Sequence, residues 1–117
     1  MNNVPNEREV RLYIAEAGHS PFEHWFDHLR DAFAQHRILA RIARLRTGNP
    51  GDFKNLGGGG YELRIDYGPG YRIYYGQHGS EIVILLIGGD KRTQTKDIEN
   101  AMRYWNDYKE KRKSTEF

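Results

Sequence analysis

Tyr61-Glu62-Leu63-Arg64-Ile65-Asp66 and Tyr71-Arg72-Ile73-Tyr74-Tyr75, joined by Tyr67-Gly68-Pro69-Gly70, are two alternating runs that read as a β-hairpin. Side chains alternate with period two, so the number of loop residues decides which faces coincide. An even loop pairing Asp66 with Tyr71 mixes apolar and charged residues on both faces. An odd loop, with a glycine at positive φ in a bulged turn, gathers Leu63, Ile65, Tyr71, Ile73 and Tyr75 on one face. Glu62, Arg64, Arg72 and Tyr74 then share the other. The odd register is expected, with Arg64 and Arg72 opposite or diagonal. Like charges facing across strands cost from a few tenths of a kcal/mol to about 1 kcal/mol. Either Glu62 and Asp66 neutralise the pair as surface ion pairs, or a polyanion offsets the repulsion.

Downstream of the hairpin, Glu81 to Ile87 is nearly all apolar and β-branched, which suits a strand covered on both faces. Upstream, Val10, Leu12 and Ile14 alternate with Glu9, Arg11 and Tyr13 as a half-buried first strand. Ser20-Pro21-Phe22-Glu23 is a helix start, with Ser20 as N-cap, Pro21 in the first turn and Glu23 completing a capping box. Phe22, Trp25, Phe26 and Leu29 follow at helical spacing and are expected in the core. Asp31 caps a second helix from about Ala32 to Thr47 with the stripe Ile38, Ile42 and Leu45, and Gly48-Asn49-Pro50-Gly51 stops it. Gly57 to Gly60 reads as a flexible tether. Thr95 is placed to cap a final helix whose buried stripe is Ile98, Ala101, Met102 and Trp105, and the polar tail 109–117 is expected to fray. The order β, α, α, β, β, β, α predicts one α+β domain over residues 1–117, with helices on one side of a mainly antiparallel four-stranded sheet.

The chain has 117 residues, enough to bury a single core. Its 18 Lys+Arg against 16 Asp+Glu leave a formal charge of +2, so the placement of charge says more about partners than its sum. Cysteine is absent, which excludes disulfides and thiol chemistry and suits a reducing compartment. The longest apolar run, Ile82 to Ile87, falls far short of the roughly 20 residues of a membrane helix, and Met1-Asn2-Asn3-Val4-Pro5 lacks the pattern of a signal peptide. A cytoplasmic protein without a membrane partner is expected.

Several constellations could carry chemistry. The second predicted helix bears Arg37, Arg41, Arg44 and Arg46 with no acidic residue between Asp31 and Asp52, and Arg37, Arg41 and Arg44 fall on one face. Such a stripe is either a solvated face or a surface for nucleic acid or an acidic protein. Gly88-Gly89-Asp90-Lys91-Arg92 lets backbone approach a phosphate beside two cations, without the spacing of a P-loop. His24 and His28 stand at i,i+4, but no third ligand is evident, so no metal site is assigned. Neither a Ser-His-Asp set nor a carboxylate pair can be singled out. Arg, Lys and Tyr remain, and they suit metal-independent RNA cleavage, in which cations hold the phosphate while a proton acceptor activates the adjacent 2′-hydroxyl.

Leu56-Gly57, Tyr61-Glu62-Leu63-Arg64-Ile65, Tyr67-Gly68-Pro69-Gly70-Tyr71-Arg72-Ile73-Tyr74-Tyr75, Ile84-Leu85-Leu86-Ile87-Gly88-Gly89-Asp90-Lys91, Thr93-Gln94 and Asp97-Ile98 together resemble the RelE/HigB-type toxins of bacterial addiction modules, in the phage-derived killer-protein branch. The resemblance runs from Val10 to about Asp107. It implies a microbial-RNase-like fold, a ribosome-dependent mRNA endonuclease activity without a cofactor, and restraint by a cognate helix-turn-helix antitoxin. It also implies roles: Arg72 on the scissile phosphate, Arg64 and Lys91 orienting the backbone, Lys54 and Arg92 adding charge against RNA or ribosome. Where some relatives carry a tyrosine base at the start of the final helix, this chain has Ile98, leaving Tyr74 or Tyr104 as the candidate proton acceptor, or a lysine or arginine of lowered pKa, although arginine rarely gives up its proton. Arg37, Arg41 and Arg44 are candidates for the ribosomal surface. The alternatives are a ParE-like toxin that acts on DNA gyrase without cutting RNA, and a nucleic-acid-binding repressor partner.

Overall fold

The computed structural model describes residues 7–114; the N-terminal stretch read for a signal peptide lies outside the described residues, as do 115–117. The elements are β1 (Glu9–Leu12), α1 (Pro21–Asp27), α2 (Ala32–Arg46), β2 (Phe53–Gly57), β3 (Gly60–Ile65), β4 (Tyr71–His78), β5 (Ile82–Asp90), a 3-10 turn (Lys91–Thr93) and α3 (Gln94–Ser114). They form an α+β domain with one five-stranded sheet in the order β1-β5-β4-β3-β2. β1 and β5 run parallel, and every other pair is antiparallel.

This corrects the expected sheet of four mainly antiparallel strands. The missing strand is β2, whose Phe-Lys-Asn-Leu-Gly lies almost wholly exposed at the sheet edge and so carries no apolar alternation. Pairing with β3 makes it a strand. Gly57 to Gly60 is not a tether but the hairpin turn between them: Gly57 faces Gly60, and Gly58 and Gly59 take φ of +62° and +89°, the left-handed values that a tight two-residue turn needs. Trp105 Nε1 and Lys109 Nζ both donate to the carbonyl of Gly58, at 2.7 and 3.1 Å, and tie this turn to α3.

The hairpin of β3 and β4 has the odd register. Ile65 faces Tyr71 across the five residues 66–70, Leu63 faces Ile73, and Arg64 faces Arg72 directly. Leu63, Ile65, Tyr71, Ile73 and Tyr75 join Val83 and Leu85 beneath Ile38, Ile42 and Leu45 of α2 and Phe22 of α1. The opposite face of the sheet holds Tyr74, Ile84 and Leu86, packed against Ala101 and Trp105 of α3. Helices therefore cover both faces rather than one. β5 demands this, because Val83 and Ile84 on its two sides are both fully buried and each needs apolar cover. A bulge opposite Tyr74 and Tyr75 turns both Leu86 and Ile87 toward α3.

Local signals set the helix boundaries with one exception. Ser20 Oγ accepts from Glu23 N at 3.0 Å, and Asp31 Oδ1 accepts from Phe33 N and Ala34 N at 2.9 and 3.2 Å. The last helix is not capped by Thr95. Asp90 caps the 3-10 turn that leads into α3, accepting from Arg92 N at 2.9 Å, while Thr93 Oγ1 lies 3.4 Å from Asp90 N. The described part of the polar tail, from Lys109 to Ser114, is helical and continues α3, with Lys111 Nζ 3.0 Å from Asp107. Among the described residues no helix is long and apolar enough to cross a membrane.

Candidate functional site

Residues that face one another on antiparallel strands share a sheet face. Lys54 on β2 faces Glu62 on β3, which faces Tyr74 on β4; one step along, Arg64 faces Arg72. This is the α3 side of the sheet, near the start of that helix. Glu62 is fully buried and stands at the centre. Its Oε1 accepts from Arg64 Nε at 3.0 Å and lies 3.9 Å from Arg72 Nε; its Oε2 accepts from Gln94 Nε2 at 2.8 Å and from the Tyr74 hydroxyl at 3.1 Å. Burial pushes the Glu62 carboxyl up, but the donors Gln94, Arg64 and Tyr74 together with the Arg64 charge outweigh it and hold the group below its ordinary value.

The same contacts describe the cations. The bond to Glu62, with its charge, raises the Arg64 guanidinium above its usual range. Arg72 is 8% exposed; its Nη1 donates to the carbonyls of Gly70 and Tyr71 at 3.2 and 3.3 Å, and its buried Nε finds no hydrogen-bond partner among the described residues. Lys91 is exposed, and its aliphatic stem passes so close to Gly70 that a Cβ there would stand 3.1 Å from it. Arg72 and Lys91 thus converge on the Gly70 turn. Lys54 is exposed on the flank.

Other expected members stand apart. Arg92 folds back on Asp90 with Nη2 to Oδ2 at 2.9 Å and Nε to Oδ1 at 3.2 Å, so its charge is paired although its side chain remains exposed. The α2 arginines lie with α2 on the other side of the sheet, and the three do not act as one stripe. Arg37 stacks 4.6 Å over the Tyr67 ring, and Arg44 is exposed. Arg41 is not a free cation: Nη2 donates to the carbonyls of Pro50 and Asp52 at 2.7 and 3.1 Å and Nη1 to that of Arg64. Burial, then repulsion from Arg44, lowers its guanidinium pKa.

Neither tyrosine is poised as a proton acceptor. Tyr74 was expected on an open face, but α3 and the sheet seal it completely; its hydroxyl donates to Glu62, and burial followed by the Glu62 charge pushes it far up. Tyr104 stacks on Tyr13 with ring centroids 5.1 Å apart, in a cleft lined by Asp107 and Lys111 and by neither Arg64 nor Arg72. Ile98 is half-buried and packs in the α3 layer.

A cleft of about 750 Å³ lies elsewhere, where β1 and β5 end and α1 meets the start of α3; His19, His24, His28, Trp25, Asp90 and Asp97 line it. His24 and His28 have ring centroids 4.3 Å apart, and His28 Nδ1 lies 2.7 Å from the His24 carbonyl. Among the described residues no group of three His, Cys, Asp or Glu could share a metal ion. The floor is Gly88 and Gly89, where a Cβ would meet Trp25 at 2.2 Å and Asp97 at 1.8 Å. Burial pushes the Asp97 carboxyl up against the hydrogen bond it accepts from Thr93.

The residues that sequence reasoning undervalued are Glu62, read as a surface neutraliser, and Gln94, which carried no role. The available signal was Glu62 itself: an acid flanked by Tyr61 and Leu63, on the same strand face as Arg64.

No family model matches the chain. Over 80 residues it is 50% identical to an uncharacterized protein of Haemophilus influenzae, an alignment that covers 68% of this chain and 81% of that protein. The chain belongs to the same family as that protein.

Proposed function

We propose that this chain is the toxin of a type II toxin–antitoxin pair: a ribosome-dependent mRNA endonuclease that inhibits translation in the cytoplasm and is restrained by a helix-turn-helix antitoxin. The observation that carries the reading is Arg64 facing Arg72 across β3 and β4 over a shared carboxylate, with Lys54 and Lys91 at the flanks. Four cations against Glu62 leave a net charge of +3 on these five side chains, a surface suited to a phosphodiester. The likeness of the surrounding motifs to RelE/HigB-type toxins supplies the reaction. The 2′-hydroxyl attacks the neighbouring phosphorus, the bond to the 5′-oxygen breaks, and one proton leaves the attacking oxygen as one reaches the departing oxygen. Arg72, with Arg64, stabilises the charge that grows on the non-bridging oxygens. Lys91 and Lys54 hold the backbone on either side.

The test is to map message ends in a translating extract. Cuts positioned by the ribosome, lost in Arg72→Ala while the variant keeps its circular dichroism, support the reading; intact messages refute it. The sealing of Tyr74 favours a second reading, a ParE-like toxin that binds DNA gyrase without nucleolysis, since the arginines then need no proton acceptor. DNA-damage signalling with intact messages is its signature.

A further inference from the structure

We propose that Glu62 is the positioning residue of this cationic site: its carboxylate fixes the Arg64 guanidinium by a hydrogen bond and offsets the charge of Arg72, so that Arg64 presents its outer N–H edge to a phosphodiester. The assignment rests on the nuclease reading above. Arg64 and Arg72 face each other directly, a separation at which unshielded guanidinium groups repel and splay. Glu62 approaches both from the Nε side, at 3.0 Å for Arg64 and 3.9 Å for Arg72. Arg64 hydrogen-bonds to the described residues through Nε alone, and Arg72 through Nη1 alone, leaving Nη1 and Nη2 of Arg64 and Nη2 of Arg72 for a ligand. Arg64, anchored at Nε, presents the planar fork of Nη1 and Nη2, the geometry that grips phosphate oxygens in pairs, and Arg72 contributes Nη2.

The carboxylate is itself held. Gln94, the first residue of α3, and Tyr74 both donate to Oε2, so its plane is set from the helix and from β4. With no exposed surface, Glu62 neither touches substrate nor exchanges a proton with it. It acts through the arginines.

The test compares wild type, Glu62→Gln and Gln94→Leu on ribosomes carrying message, together with the Nε–H proton resonances of the arginines. Glu62→Gln is expected to lower kcat about 100-fold with KM within about twofold, the pattern of misaimed rather than missing groups. The Arg64 Nε–H resonance, downfield and slow to exchange in wild type, is expected to move upfield and exchange faster in Glu62→Gln. A kcat within about threefold of wild type, or an unchanged Nε–H resonance, overturns the proposal. Should Glu62→Gln not fold, Gln94→Leu decides: a fall in kcat of about three- to tenfold, with the fold intact, is expected on removing one bond to the carboxylate, and a wild-type kcat overturns the assignment. If wild type leaves ribosome-bound message uncut, the nuclease reading fails separately. Glu62 is then judged on the Nε–H resonances and on inorganic phosphate, whose affinity is expected to weaken about tenfold in Glu62→Gln; unchanged affinity refutes the positioning role.

Discussion

Replacing Arg41 separates an arginine held by the fold from its exposed neighbour Arg44 on α2. Its guanidinium reaches the carbonyls of Pro50, Asp52 and Arg64, clasping the chain that leads from α2 into β2 against the backbone of β3. A hydrogen bond to a charged group contributes about 1.5–3 kcal/mol when well buried. Arg41 is half-buried, and water replaces part of what is lost, so the three bonds together are worth about 2–3 kcal/mol. For a domain of this size that lowers the melting midpoint by about 8–12 °C. Arg41→Ala, followed by circular dichroism in heat and urea melts, is expected to show this loss. Arg44→Ala, at an exposed position, is expected to stay within about 0.5 kcal/mol of wild type. Arg41→Lys is the sharper variant. It keeps the charge but cannot fork to three carbonyls, so it is expected to lose nearly as much as Arg41→Ala. A fully stable Arg41→Lys, or an Arg41→Ala midpoint indistinguishable from wild type, would sink the clasp and return Arg41 to the list of surface cations.

Other outcomes follow from the Glu62 cluster and its surroundings. Because the Glu62 pKa is held below its unfolded value, its contribution to stability is complete above the ordinary glutamate pKa and is lost as pH falls through the lowered folded value; acid titration of wild type against Glu62→Gln should show a shallower acid limb in the variant. Tyr74→Phe removes one donor to Glu62 and is expected to cost about 1–2 kcal/mol in urea melts while lowering message cleavage less than tenfold; a fall of several hundredfold would reinstate Tyr74 as the proton acceptor. Gly89→Ala, whose Cβ would stand 1.8 Å from Asp97 Oδ2, must displace the first turn of α3 and is expected to destabilise by about 2 kcal/mol or more, with amide exchange accelerated at the start of that helix.

Much of the local architecture was legible. Asp31 announces α2 by the chemistry of an N-cap, and the burial of Ile38, Ile42 and Leu45 follows from their helical spacing. Other features left no local trace. β2 is recognisable by its partner and not by its residues, because an exposed edge strand has no apolar period to display. The cap of the last helix was misread as Thr95, since an Asp followed by Lys-Arg-Thr reads equally well as a basic surface loop until the 3-10 turn is seen to close over Asp90.

By itself, the order of residues from Tyr61 to Tyr75 determined which side chains share a face and that Arg64 meets Arg72, because strand alternation depends only on counting along the chain. Which face is dry was decided by the tertiary fold. α3 crosses the charged side of the hairpin, so Tyr74 and Glu62 lose all contact with water while Lys54, one strand away and directly opposite Glu62, keeps it. Burial is set by whatever packs from across the chain, here a helix beginning 32 residues after Glu62. It is this distant cover that turns an apparent surface neutraliser into a buried carboxylate bonded to Arg64 and 3.9 Å from Arg72.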